Sequence, residues 1–201
     1  PMHLALHAVP TKIALEKKIP LILWGENSAD EYGGHRSFKG KYMTNKWRKV
    51  FGVNEGKSIN YWVDKNLKIR NLNSYKLPTN DQIKNSKLKE VFLGYFFKWF
   101  PKKIFNISKK YGFKSATKPK TGYYNFADID DEFLITIHHL MKWYKFGFTR
   151  EWDNLSLEIR NKKISRKNAV KIISNKGFVL PNEEINKFCK YINISKKEFI
   201  K

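Results

Sequence analysis

The sequence predicts an α/β protein: a parallel sheet layered with helices, followed by a helical C-terminal third. Three observations lead there. The run Ile19-Pro20-Leu21-Ile22-Leu23-Trp24 is short, almost wholly apolar, and closed by Gly25, as expected of a strand buried on both faces of a parallel sheet. A second apolar run over residues 91–97 is followed by Pro101, whose fixed φ and missing N–H suit the first turn of a helix. From residue 128 onward, apolar residues recur at helical spacing between start and stop signals. The predicted division is an α/β part over 1–126, with a loop-rich insertion at about 35–90, and a helical region over 127–201.

Taken in order, residues 5–18 read as a helix, with Leu6, Val9, Ile13 and Ala14 at helical spacing and Lys17 and Lys18 in the last turn, where cations suit the dipole. Pro10 marks a kink or a later start. The strand over 19–24 then empties into a polar loop carrying Glu26, Asn27, Asp30 and Glu31. That is the carboxyl end of the strand, the usual place for ligand loops in α/β sheets. Residues 35–90 are rich in Lys and Asn with scattered aromatics such as Trp47, Phe51, Tyr61 and Trp62; short helices and long loops are expected, as an insertion over the site. The helix opened by Pro101 runs through Ile104, Phe105 and Ile107 to Gly112 as its C′ residue. A loop over 114–126 leads to a long helix over 128–144 with Phe133, Ile137, Leu140, Met141 and Tyr144 on one side. Further helices are predicted over 149–161, from a Ser165 cap to a stop at Gly177, from Pro181 with Glu183 and Glu184 in the first turn, and from the capping box Ser195–Glu198.

Composition excludes several classes. The 201 residues carry 40 Lys plus Arg against 18 Asp plus Glu, a formal charge of +22, yet 41% are apolar and 15% aromatic, so wholesale disorder is ruled out. The single cysteine, Cys189, excludes an intrachain disulfide framework and a Cys-based zinc cluster. No apolar run approaches the roughly 20 residues that span a bilayer, and the N-terminus lacks the basic start of a signal peptide; the default is a soluble cytoplasmic protein. The cations are 34 Lys and only 6 Arg, spread along the chain without a block. Solvated lysines from an A/T-rich coding bias and a polyanion-binding surface both fit this pattern.

Two local motifs carry chemistry. In Trp24-Gly25-Glu26-Asn27 with Glu31-Tyr32-Gly33-Gly34, Gly25 admits a close ligand approach, Glu26 and Glu31 offer carboxylates to a metal or a ribose or sugar hydroxyl, and Gly33-Gly34 permits a tight turn. A plain polar strand-to-loop exit with a Gly-Gly turn is the other reading of the same residues. In Lys145-Phe146-Gly147-Phe148-Thr149-Arg150, two cations flank a glycine between helices and suit a phosphate; a helix C-terminus with Gly147 as its stop is the other reading. His138 and His139 are adjacent in a helix and cannot readily chelate one metal, while His3 and His7 lie at an irregular chain start, so an incidental role is expected for both pairs. Cys189 fits the packing face of a late helix. Thr121-Gly122-Tyr123-Tyr124 reads as a substrate loop or as a turn.

The series 19–27, 31–34, Thr121-Gly122-Tyr123, 128–131, Lys145-Phe146-Gly147 with Arg150, and Glu158-Ile159-Arg160 leading to Ile164-Ser165-Arg166 resembles the N-acetyl sugar amidotransferases of surface-polysaccharide and flagellin-sugar biosynthesis. The order and spacing span residues 5–200. The resemblance implies a PP-loop ATP pyrophosphatase fold with a five-stranded parallel sheet. It implies ATP with Mg2+ as cofactors, adenylation of an acetamido oxygen, displacement of AMP by ammonia to leave an acetamidino group, and a separate glutaminase as ammonia source. Carried over by motif, Glu26, Lys145 and Arg150 become the catalytic candidates, with Lys145 and Arg150 on phosphate. Gly25, Asn27, Gly33, Gly34, Thr121 and Gly122 become the cofactor- and substrate-binding candidates, and no protein metal ligand is named. The family's PP-loop, a Ser-Gly-Gly-x-Asp-Ser type sequence, and its Cys-rich N-terminal segment would both lie before Pro1; the expectation is a C-terminal portion, inactive alone. Two other readings compete: a basic nucleic-acid-binding module, which needs a continuous cationic groove with stacking rings, and a non-catalytic partner of the glutaminase.

Overall fold

The N-terminal helix, α1 (Met2–Glu16), packs through the face opposite to the one its larger side chains suggest. Ala8, Thr11 and Ala14 are buried, whereas Leu6, Val9 and Ile13 are exposed. The reason is close approach: small residues let the helix lie against the 3-10 turn Ile69–Tyr75 and against the strand β1 (Leu21–Trp24), and Thr11 donates to the Glu90 carboxylate at 3.3 Å. Pro10 lies inside α1 without ending it.

The computed structural model describes residues 2–33, 35–52, 57–129, 132–177 and 179–201. They fall into two compact units, Pro1–Trp99 and Phe100–Lys201. Gly34, Asp130 and Asp131, which belong to the sequence motifs, lie outside the described residues.

In the first unit, β1 pairs in parallel with β2 (Lys89–Phe92), Leu21 opposite Lys89 and Trp24 opposite Phe92. Among the described residues the sheet has these two strands, against the five that the resemblance implies. The expectation of a strand buried on both faces is corrected: Leu21 and Leu23 are 47% and 54% exposed, because only the face bearing Ile22 and Trp24 is packed. The second strand is also shorter than predicted. It stops at Phe92, and Leu93–Phe96 forms a helical turn, α5. Between the strands the chain makes short helices, as its polar composition predicts: α2 (Ser28–Glu31), α3 (Asn45–Phe51) and α4 (Asn80–Lys84), with 3-10 turns at Arg36–Phe38, Ile59–Trp62 and Ile69–Tyr75. Thr44 and Thr79 cap α3 and α4 with their hydroxyls. The core gathers Met43, Trp47 and Phe92, with Trp24, Phe38 and Phe51 around them.

The second unit is helical: α6 (Pro101–Lys110), α7 (Glu132–Phe146), α8 (Arg150–Arg160), α9 (Arg166–Lys176), α10 (Asn182–Ile192) and α11 (Lys196–Ile200). The punctuation read from sequence is in place. Pro101 opens α6, Ser165 caps α9, Ser195 and Glu198 form a reciprocal capping box, and Gly112, Gly147 and Gly177 all have positive φ. Ile137 and Leu140 of α7 pack on Ile185 and Cys189 of α10, while Met141 and Tyr144 are exposed. The loop over 114–126, grouped by sequence with the first domain, packs within this unit onto α8 and α9. The chain is thus mostly helical with a small parallel sheet. No helix among the described residues is long and apolar enough to cross a membrane.

Candidate functional site

At the carboxyl end of β1, Asn27 is the cap of α2. Its Oδ1 accepts from the Ala29 N–H at 3.0 Å and from the Trp47 indole N–H at 3.2 Å. A buried amide oxygen engaged twice holds the turn to α3 rather than facing a ligand. Glu26 is exposed, and a Cβ at Gly25 would meet no atom within 4 Å. Gly33 sits at φ +83°, a conformation that glycine adopts without strain. Gly25, Glu26, Asn27, Asp30 and Glu31 line a cleft of only about 10 Å3, too small for a nucleotide, and its three carboxylates would repel phosphate.

Gly122 answers to a different constraint. A Cβ there would come within 2.4 Å of Asn154 Oδ1, the atom that accepts the Tyr123 N–H at 3.0 Å. The glycine therefore lets the loop dock on α8, and Lys176 of α9 donates to the Gly122 carbonyl at 3.3 Å. Beside it, Thr121 Oγ1 and His139 Nδ1 are 2.8 Å apart. Burial lowers the His139 pKa to about 4, with His138, Arg150 and Lys142 adding to the effect and Asp128 opposing it, so the imidazole is neutral at pH 7. His139, expected from sequence to be incidental, is thus the partner of a predicted site residue; nothing local marks it, since the contact spans 18 positions.

The two cations of the 145–150 motif have different surroundings. Lys145 lies exposed at the end of α7, its Nζ 5.1 Å from the Phe146 ring centroid. Arg150 is half-sequestered: Nε donates to Asp128 Oδ2 at 3.0 Å, and Asp153 lies 4.0 Å from Nη1. The guanidinium thus holds the 121–128 segment to the start of α8, and a phosphate approaching it would meet two carboxylates. The motif over 25–33 belongs to the first unit and the motif over 145–150 to the second.

The largest cavity described in the second unit, about 840 Å3, lies between the first turn of α6, the 117–126 loop and α8. Tyr124 and Phe126 form one wall, stacked at 4.9 Å, and Phe105 continues the stack behind Phe126 at 4.4 Å. Tyr124 donates its hydroxyl to Glu158 Oε1 at 2.5 Å. Burial first, and then this bond to a carboxylate, push the phenol pKa well above its usual value, so Tyr124 remains a proton donor. Lys102, Lys103 and Lys163 stand on the rim. Aromatic rings beside a carboxylate and side-chain amides suit a polyhydroxylated ring, and the lysines suit a negative substituent. Glu158 belongs to the motif series, but its partnership with Tyr124 spans 34 positions and leaves no local pattern.

No curated protein matches the chain. Residues 107–201, which form most of the second unit and supply the loop, Tyr124, Glu158 and Lys163 of the cavity, match the family model described as LPS biosynthesis protein WbpG-like, C-terminal domain.

Proposed function

We propose that the chain takes part in lipopolysaccharide or related surface-glycan biosynthesis, as part of an ATP-dependent amidotransferase acting on an N-acetyl sugar, and that the cavity at Tyr124 and Glu158 holds the sugar. The observation that carries this reading is that the WbpG-like match takes in Tyr124, Asn125, Phe126, Glu158 and Lys163 of the cavity wall. Tyr124 and Phe126 line the site with apolar ring atoms, Glu158 and Asn125 offer hydrogen-bonding groups to hydroxyls or the acetamido group, and Lys102, Lys103 and Lys163 balance a charged substituent.

The reaction belonging to this reading replaces the acetamido oxygen by nitrogen: the oxygen leaves after activation and ammonia, supplied by a glutaminase, takes its place. The nucleotide and Mg2+ that such activation uses do not fit the 25–33 turn, where the cleft is about 10 Å3 and acidic. Among the described residues no group of three His, Cys, Asp or Glu side chains could hold a metal ion. Glu26, Lys145 and Arg150 are therefore given no chemical step, and the role of this chain in the reading is to bind and orient the sugar.

The test is saturation-transfer NMR with N-acetylglucosamine as probe. Transfer from aromatic protons to the sugar ring and acetamido methyl, abolished by Tyr124→Ala, supports the reading. Absence of transfer, or transfer unchanged in Tyr124→Ala, removes the sugar site.

A further inference from the structure

The first unit contains a second cavity, of about 390 Å3, whose wall is unusually one-sided in charge. His7 of α1, Lys46, Arg48 and Lys49 of α3, and Lys57 all line it, and none of its described lining residues is acidic. Its size lies in the range of small-molecule sites, about 300–1,000 Å3.

The carboxylate that meets Arg48 is already engaged. Glu90 Oε2 accepts from Arg48 Nη2 at 2.5 Å and from the Trp24 indole N–H at 3.0 Å. It balances Arg48 and is not among the residues that line the cavity with Lys46 and Lys49. Arg48 Nη1 donates to Asn45 Oδ1 at 2.8 Å. Its third group, Nε, is buried without a partner, and so is Nδ1 of His7. Two unmatched nitrogens in one buried wall are uncommon. An oxygen-rich anion seated against the guanidinium would satisfy the Nε–H, while the lysines, as mobile point charges, close on it from the rim. Asn45 also donates to Asn80, the first residue of α4, tying α3 to α4 beside the cavity.

We infer that this cavity binds a phosphate-bearing small molecule, with Arg48 fixing its position and Lys46 and Lys49 neutralising it. Burial, then Arg48 and then His3 hold the His7 pKa down to about 4, so a neutral imidazole stands beside the guanidinium at pH 7. The inference stands apart from the sugar site, which is built entirely from the second unit.

The experiment is calorimetric titration of the whole chain with pyrophosphate at constant ionic strength, with malonate as a dianion of different chemistry, followed in parallel by the His7 ring resonances. Saturable pyrophosphate binding is expected, with His7 shifting along the same curve and little response to malonate. Lys46→Gln with Lys49→Gln should weaken it about tenfold or more, the scale of lost charge-assisted contacts. Lys109→Gln with Lys110→Gln, exposed in the last turn of α6, should leave it unchanged. Equal affinity for malonate, a still His7 resonance, or equal weakening by both lysine pairs would each overturn the inference, the last by showing diffuse attraction to a basic protein. Circular dichroism of the variants confirms that each is folded.

Discussion

Arg48 and Glu90 form an ion pair 2.5 Å long in which each side chain is only 3% exposed. The two residues are 42 positions apart, one on α3 and one on β2, and they join α1, the sheet and α3 through Thr11 and Trp24. A pair so deep contributes chiefly because each charge would be intolerable alone. Glu90→Gln should therefore destabilise the first unit by about 3–5 kcal/mol, read as a lower urea midpoint. Arg48→Met combined with Glu90→Leu should recover most of that loss; a double variant as unstable as the single would show that the network is held by something other than charge pairing.

Gly122 makes a sharper steric prediction. Alanine there would press its methyl to within 2.4 Å of Asn154 Oδ1, and overpacking of this kind costs about 1–3 kcal/mol. Thermal unfolding of Gly122→Ala should show the loss. Combination with Asn154→Ala removes the clash and the Tyr123 hydrogen bond together, so stability should return only in part.

Asn27 carries two bonds on one oxygen. Asn27→Ala should cost about 1 kcal/mol for the lost cap and a further ~1–3 kcal/mol for leaving the Trp47 N–H buried without an acceptor. Asn27→Asp keeps an acceptor and should fall between. If Asn27→Ala left the denaturation midpoint in place, Asn27 would not have this structural role.

His7 and His139 set the response to acid. Both pKa values are lowered to about 4 in the fold, chiefly by burial, from the ordinary histidine value of 6.5. The unfolded chain therefore binds protons that the folded chain refuses between pH 6.5 and 4, and folding free energy must decline as pH falls through that window. The contribution is fully present above 6.5 and levels off below 4. The groups facing His139 are Asp128, His138, Arg150 and Lys142, and those facing His7 are Arg48 and His3. His139→Gln should flatten the pH dependence of the urea midpoint over this range; an unchanged slope would mean that His139 titrates normally in the fold.

Glu158→Gln keeps the shape of the cavity wall but replaces the carboxylate that accepts the Tyr124 hydroxyl. It should weaken N-acetylglucosamine binding several-fold while lowering the Tyr124 pKa, followed by the phenolate absorbance at high pH. A lowered pKa with unaltered sugar binding would separate the hydrogen bond from recognition.

Much of the local structure was legible in the sequence. Pro101, Gly112, Ser165, Gly177 and the Ser195–Glu198 box mark helix ends because their preferences depend on one turn of backbone. The strand at β1 was legible as an apolar run bounded by glycine, but its exposure was not. Periodicity reports which residues share a face, and for α1 it pointed to Leu6, Val9, Ile13 and Ala14, of which only Ala14 is buried, beside Ala8 and Thr11. Of the site motifs, Gly33 and Gly122 do what glycines are needed for, whereas Asn27 and Arg150 have structural partners that spacing could not reveal.

Amino-acid order alone determined where helices begin and end, which segment is apolar enough to make a strand, and that a surplus of cations had to be distributed over the surface. Tertiary structure decided which cation is buried against Glu90, which phenol meets Glu158, and which histidine loses its proton. Those outcomes depend on side chains brought together from tens of residues apart, where burial and pairing, not local backbone preference, set the energy.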